Sequence, residues 1–221
     1  VGRESEIAAV RELITDSEVR LVTLTGPGGV GKTRLALAAT RASDADFQLV
    51  CHVGLASVRD PLRVGGAIAQ ALGVRGRSDG ALVVRVAPVL QDTRALLLID
   101  NFEHVVDAAP IVVDLLEAFP ELTVLVTSRV RVRLSGEREH VVPPLGLDPD
   151  LESTAVSEAA RLFIERARDV REGYMPDARA TTAIEAICRR LDGLPLAIEL
   201  AAVRFKVVPP EILLARLEQR L

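Results

Sequence analysis

Aromatic side chains are scarce in these 221 residues: there is no Trp, one Tyr and five Phe. A nucleic-acid surface needs a basic stripe, and a single-stranded one also needs rings on which bases stack. A formal net charge of −4 with scattered basic residues supplies neither, so direct DNA binding by this segment is not expected. Cysteine is nearly as rare. Cys51 and Cys188 lie far apart without a CxxC or a His-rich neighbour, which argues against a metal cluster and suits two small core residues in a reduced, cytoplasmic setting. No apolar run reaches the roughly 18 residues that span a bilayer, and no basic-then-apolar segment opens the chain, so no membrane partner is expected. The first residue is Val1, not Met, which suggests a piece of something longer.

What is present is ample apolar material, 49% of the chain, and one octet that stands out. GPGGVGKT, Gly26 to Thr33, follows the apolar run Leu21-Val22-Thr23-Leu24-Thr25 and precedes the helical pattern Arg34-Leu35-Ala36-Leu37-Ala38-Ala39. It reads as strand, glycine loop, helix. In GxxxxGK[ST] the glycines let backbone N–H groups face phosphate oxygens. The lysine reaches the β- and γ-phosphates, and the hydroxyl serves magnesium, all at a positive helix N-terminus. With Gly near 7% of average composition, these letters meet by chance in roughly one chain in a hundred of this length. The octet also contains GxGxxG (Gly26, Gly28, Gly31), with Asp44 or Asp46 near the offset of a ribose-binding acid. Lys32 and Thr33 decide against a dinucleotide, because a triphosphate with magnesium needs both and a dinucleotide turn needs neither.

Downstream, strand and helix alternate. Strands are expected over Phe47 to Val53, Arg94 to Asp100 and Leu122 to Ser128. Helices are expected over Pro61 to Leu72, Asp79 to Leu90 and Val105 to Phe119. Unbroken apolar strands separated by helices indicate a parallel sheet covered on both faces, whose ligands sit at the carboxyl ends of the strands. From Val142 the texture changes to the proline-rich connector Pro143-Pro144-Leu145-Gly146-Leu147-Asp148-Pro149. Only helical periodicity follows: Ala155 to Asp169, Asp177 to Leu191, Pro195 to Lys206 and Pro210 to Leu221. The expected organisation is a nucleotide-binding α/β domain over 1–145 and a small all-helical domain over 150–221, cut short where the sequence stops.

Two further strand ends carry chemistry. Arg94-Ala95-Leu96-Leu97-Leu98-Ile99-Asp100 ends in a carboxylate able to hold a magnesium-bound water opposite the phosphate loop. The next residue is Asn101, where many fast ATPases carry a Glu that activates water. An amide cannot take a proton in that way, so hydrolysis is expected to be slow unless Glu103 supplies the base. Leu122 to Arg129 ends in a hydroxyl and an arginine, and the planar guanidinium of Arg129 suits the γ-phosphate. Arg131 and Arg133, alternating behind it, read as surface residues.

Taken in order, Val1-Gly2-Arg3-Glu4, GPGGVGKT, LLLIDNFEHV, VTSR and GLPLA (Gly193 to Ala197) resemble the signal-transducing ATPases of the STAND class and their NB-ARC-type modules. The likeness is greatest to bacterial transcriptional regulators of the AfsR and large LuxR kinds. That resemblance implies a P-loop sheet of about five parallel strands flanked by helices, then a helical ARC1-like lid, with ADP clamped in the resting state. It implies that Val1 and Arg3 lie near adenine or ribose, and that Gly26, Pro27, Gly28, Gly29, Val30, Gly31, Lys32, Thr33 and Arg34 wrap the phosphates. Thr33 and Asp100 then serve Mg2+ through nucleotide and water, Arg129 senses the γ-phosphate, and Pro195 presses on the adenine. Read from the residues alone, GLPLA is only a helix start with proline in its first turn. The function implied is an ATP/ADP switch with weak hydrolysis by Lys32, Asp100, Glu103 and Arg129. Its other partners would be sensor and DNA-binding domains of the same chain, with self-association in the ATP state. The competing expectation is a catalytic ATPase or small-molecule kinase, for which Arg129 to Arg138 is the one candidate mobile lid.

Overall fold

The computed structural model describes residues 2–74, 80–148, 156–205 and 208–218. The chain divides into two compact units. One comprises Arg3–Pro27 and Lys32–Val142; the other comprises Val1–Gly2, Gly28–Gly31 and Pro143–Leu221.

The first unit is built on a five-stranded, wholly parallel sheet: β1 (Leu21–Thr25), β2 (Leu49–Gly54), β3 (Ala95–Asp100), β4 (Leu122–Thr127) and β5 (Glu137–Val141), in the order β2-β3-β4-β1-β5. The three central strands β3, β4 and β1 are buried at every position, which is why their sequences run apolar without alternation. β2 and β5 are the edges; β2 alternates from Val50 onward, and β5 buries only its first residue, Glu137. The charged Glu-Arg-Glu-His of β5 blunts the free edge against pairing with another chain.

Helices cover both faces. α1 (Glu4–Thr15) and α2 (Lys32–Ala42) pack against each other and against β1 and β4, burying Val10, Ile14, Leu35 and Ala39. On the other face α3 (Val64–Ala71), α4 (Leu82–Leu90) and α5 (Ala109–Ala118) share a core that includes Ile68, Val86, Leu97, Ile99, Phe102, Val112 and Val126. Arg20, just before β1, closes the far end of α5, where its guanidinium donates to the carbonyls of Leu116 at 2.5 Å and Phe119 at 2.6 Å. A cation on the last carbonyls of a helix satisfies acceptors that have no intrahelical donor.

The α/β fold with a parallel sheet of five strands and a helical C-terminal region stands as expected, and several boundaries move. α1 is an additional helix, beyond those read from the sequence. The helix expected over Val105 to Phe119 begins only at Ala109, preceded by two 3-10 turns at Phe102–His104 and Val106–Ala108. Pro110 explains this: it has no N–H to give an upstream carbonyl, so it fits the first turn of a helix and not its middle. The helix expected from Pro61 likewise opens as a 3-10 turn, with Asp60 accepting from the Leu62 N–H, and becomes α-helical at Val64. Residues 130–136, within the segment read above as a candidate mobile lid, form no strand. The buried carboxylate of Glu137 accepts from the N–H groups of Val132 at 2.9 Å and Arg133 at 2.8 Å, which folds this stretch into a turn ahead of β5. Asp79, where α4 was expected to start, lies outside the described residues, as do Ala155 and Lys206 at helix ends of the second unit.

In the second unit α6 (Glu158–Val170), α7 (Ala178–Arg190), α8 (Pro195–Arg204) and α9 (Pro210–Glu218) enclose a core of Phe163, Ile184, Ile187, Cys188, Ile198 and Ala202. Ser157 and Asp177 cap α6 and α7 by accepting from Ala160 and Ala180. The cap at Ser157 is itself held by Glu185, whose carboxylate accepts from the Ser157 backbone N–H and hydroxyl, each at 2.8 Å. Gly193 adopts a left-handed φ of 64°, and a Cβ there would collide with the Leu145 carbonyl. Both its conformation and its close packing require glycine. Among the described residues no helix is long and apolar enough to cross a membrane.

Candidate nucleotide-phosphate site

β4 lies between β1 and β3, with Leu24 opposite Thr127 and Ile99 opposite Val126. Three strands that point the same way in adjacent positions deliver their carboxyl ends to one rim. The end of β1 leads to the glycine loop, the end of β3 is Asp100, and the end of β4 is Thr127-Ser128-Arg129.

Lys32 opens α2 and is only 9% exposed. Its ammonium folds back over the loop, donating to the carbonyls of Gly26 at 2.8 Å and Pro27 at 3.0 Å. Burial lowers its pKa from the usual lysine value, and Glu103 and Asp100 pull it back up while Arg129 pushes it down. All three charged residues named for this rim are therefore within electrostatic reach of Lys32. Thr33 donates its hydroxyl to Asp100 Oδ1 at 2.7 Å. Asp100 is 7% exposed, and a second hydroxyl, from Thr127, donates to the same oxygen at 2.5 Å. The Thr127 oxygen in turn accepts from the backbone N–H of Asn101 at 3.0 Å. Asn101 itself is left-handed, φ 65° and ψ 42°, a conformation that Asn tolerates better than most residues. It turns the chain sharply out of β3 and into the turn that carries Glu103.

The Glu103 side chain is 10% exposed; its Oε1 accepts from Arg129 Nε at 3.2 Å, while its Oε2 is buried with no hydrogen-bond partner among the described residues. Arg129 is 61% exposed. Arg131 is engaged on the other side, at 3.4 Å from Glu139 and 3.7 Å from Glu137, and Arg133 is an exposed, left-handed turn residue. Arg3 is 9% exposed, sits at the left-handed N-cap of α1 with φ 76°, and acts electrostatically on His140 of β5. Asp46, weighed above as a ribose-binding acid, is paired with Arg11 at 3.2 Å.

In the loop, Gly26, Gly29 and Gly31 have φ of 144°, 80° and 98°, and Val30 is fully buried. Open space surrounds the position a Gly31 Cβ would occupy, so what glycine supplies there is backbone conformation, not room. Within the second unit the Leu196 N–H, one residue after Pro195, donates to the Gly29 carbonyl at 3.2 Å. Pro195 is half-buried in the first turn of α8, and Gly28 and Arg34 are exposed. Val1 lies outside the described residues.

The structure thus brings Lys32, Thr33, Asp100, Glu103 and Arg129 to one rim of the first unit. Thr127 belongs with them. Sequence reasoning passed over it as the last letter of an apolar strand, although a hydroxyl ending Val124-Leu125-Val126 was the available signal. The donor set suits a magnesium nucleotide: a buried carboxylate, an adjacent hydroxyl and a lysine already bound to oxygen acceptors.

A model of the AAA domain family matches residues 15–141. The chain belongs to the AAA domain family. Membership implies nucleotide binding, typically with Mg2+. The chain is 40% identical over 222 residues to an uncharacterized protein of Mycobacterium tuberculosis, a match that covers 100% of this chain and 54% of that one. It is 40% identical over 192 residues to another M. tuberculosis protein, which carries the name of an HTH-type transcriptional regulator (86% of this chain, 21% of that one). It is 33% identical over 207 residues to the regulatory protein AfsR of Streptomyces coelicolor (89% and 19%). The chain therefore spans about half the length of the first relative and about a fifth of the other two. In fold it resembles a chain of the Drosophila ORC bound to DNA, with a TM-score of 0.68, 16% identity and coverage of 99% of this chain and 64% of that one. It also resembles a STAND protein with a tetratricopeptide repeat sensor from Pyrococcus horikoshii, with a TM-score of 0.55, 18% identity and coverage of 100% and 32%.

Proposed function

We propose that this AAA domain is the ATP/ADP-operated switch of a cytoplasmic bacterial transcriptional regulator of the AfsR or large LuxR kind, that it is NB-ARC-like in organisation, and that its hydrolysis is slow. The observation that carries this reading is the Glu103–Arg129 ion pair beside Lys32 and the Asp100 carboxylate. Lys32 would exchange its two loop carbonyls for phosphate oxygens, and Thr33 and Asp100 would hold Mg2+. Bound magnesium neutralises phosphate charge and polarises the terminal phosphorus–oxygen bond. Arg129, half in solvent, exchanges Glu103 for the γ-phosphate when ATP is bound and keeps Glu103 when ADP is bound. The exchange also frees the Glu103 carboxylate to accept a proton from water, the role that Asn101 cannot fill. An equilibrium moves only as far as the ligand's affinities for the two states differ, and the Arg129 exchange supplies such a difference.

Pro195 and the helical residues that follow Pro143 would act as the lid, with Val1 and Arg3 near the base. The boundaries near 145 and 150 remain part of this reading, as do sensor and DNA-binding domains elsewhere in the same protein and self-association in the ATP state. Isothermal calorimetry of Arg129→Ala tests it. ADP affinity stays within about twofold of the parent while the preference for or against ATP disappears. Equal weakening of both nucleotides, or an unchanged ratio between them, rejects the sensor role.

A further inference from the structure

We propose that Thr127 is the positioning residue that orients the Asp100 carboxylate toward magnesium, and so sets how strongly Mg2+ enhances nucleotide binding. The inference rests on the magnesium-nucleotide reading of this site and extends it to a residue on a different strand from either the phosphate loop or Asp100.

Thr127 is 1% exposed at the end of a strand that is otherwise apolar after Thr123. A buried hydroxyl is costly unless both its proton and its lone pairs are used, and here both are. The proton goes to Asp100 Oδ1 at 2.5 Å, and the oxygen accepts the Asn101 N–H at 3.0 Å. One side chain therefore grips two consecutive residues at the point where β3 turns out of the sheet, and the second of them is held in a left-handed conformation. Thr33 also donates to Oδ1, at 2.7 Å. With both hydroxyls on the same oxygen, the carboxylate is fixed about its Cβ–Cγ bond and Oδ2 is left clear of them. A ligand for a small, geometrically demanding cation gains from this, because orientation by outer-shell partners typically affects metal affinity 10- to 100-fold. The Thr33 hydroxyl would also serve the metal through a lone pair of its oxygen, whereas the Thr127 hydroxyl serves only Asp100 and the Asn101 N–H. Thr127 is fixed by the sheet register, opposite Leu24 of β1.

The test is a titration of the full chain with N-methylanthraniloyl-ADP, followed by fluorescence, in excess Mg2+ and in EDTA. Thr127→Val keeps the volume and removes the hydroxyl. It should lose about tenfold of the affinity that Mg2+ confers, by the same outer-shell effect, with binding in EDTA unchanged; Thr127→Ser should restore the Mg2+ enhancement. Full enhancement in Thr127→Val, equal loss in EDTA, or a serine variant no better than valine would each overturn the proposal. If Thr127→Val does not melt cooperatively, Thr127→Ala is read against Thr127→Ser in the same two buffers. A parent chain that binds no nucleotide, or that binds it as well after Lys32→Ala, would instead bring down the magnesium-nucleotide reading itself.

Discussion

Lys32 shows how much a single side chain commits to this site. It is nearly buried, its charge is held by two loop carbonyls, and burial has drawn its pKa below that of a free lysine. An anionic phosphate replaces weak neutral acceptors with a charged one, so nucleotide should bind tightly and stabilise the fold. A ligand at 100 times its dissociation constant adds about 2.7 kcal/mol. Lys32→Ala should abolish most of the rise in melting temperature seen with ADP, measured by scanning fluorimetry; an undiminished rise would exclude the loop as the site. The residues legible in the sequence were those whose chemistry is tied to local spacing. Lys32 and Thr33 follow the glycines directly, and Asp100 closes an apolar strand. Thr127 was not legible because its partners, Asp100 and Asn101, are 27 and 26 residues away in sequence and meet it only across a strand pair. The Glu103–Arg129 pair is the intermediate case. Both residues were singled out, for separate roles, and only the fold shows that each now occupies the other.

At the scale of elements, strands were easier to read than helix starts. β1, β3 and β4 are buried on both faces, so their apolar runs are continuous and their ends fall within a residue or two of expectation. Helix starts depended on details such as Pro110, whose missing N–H delays α5, and the start of β5 on Glu137, whose carboxylate draws Val132 and Arg133 into a turn. The edge strand β5 carries a consequence for pH. His140 is held below the usual histidine pKa by burial, with Glu6 of α1 raising it and Arg3 lowering it. The unfolded chain takes up this proton near pH 6.5 and the folded chain only at lower pH. The stability tied to neutral His140 is therefore complete above pH 6.5 and is lost as pH falls from 6.5 toward the folded value. His140→Gln should reduce the drop in melting temperature between pH 7.5 and pH 5.5. A variant that loses as much as the parent over that interval would assign the acid sensitivity to other groups.

At the scale of the whole molecule, the comparisons establish an AAA domain with regulator-like relatives, and the switch reading adds a slow cycle between two nucleotides. A slowly exchanging switch retains its ligand through purification. Denaturing freshly purified protein and separating the released nucleotide by ion-exchange chromatography should give ADP at close to one equivalent. A nucleotide-free protein with rapid steady-state turnover would favour the catalytic ATPase instead. By itself the sequence determined that there is a phosphate loop, a carboxylate-ended strand, a parallel α/β sheet and a helical tail, because each depends on spacing and periodicity within a few tens of residues. Only the tertiary structure decided that β4 inserts between β1 and β3. Strand order is a matter of which apolar faces pack together over long sequence separations, and no local pattern encodes it. That one insertion puts the Thr127 hydroxyl on Asp100 and Arg129 on Glu103, and so turns three separate strand ends into one site.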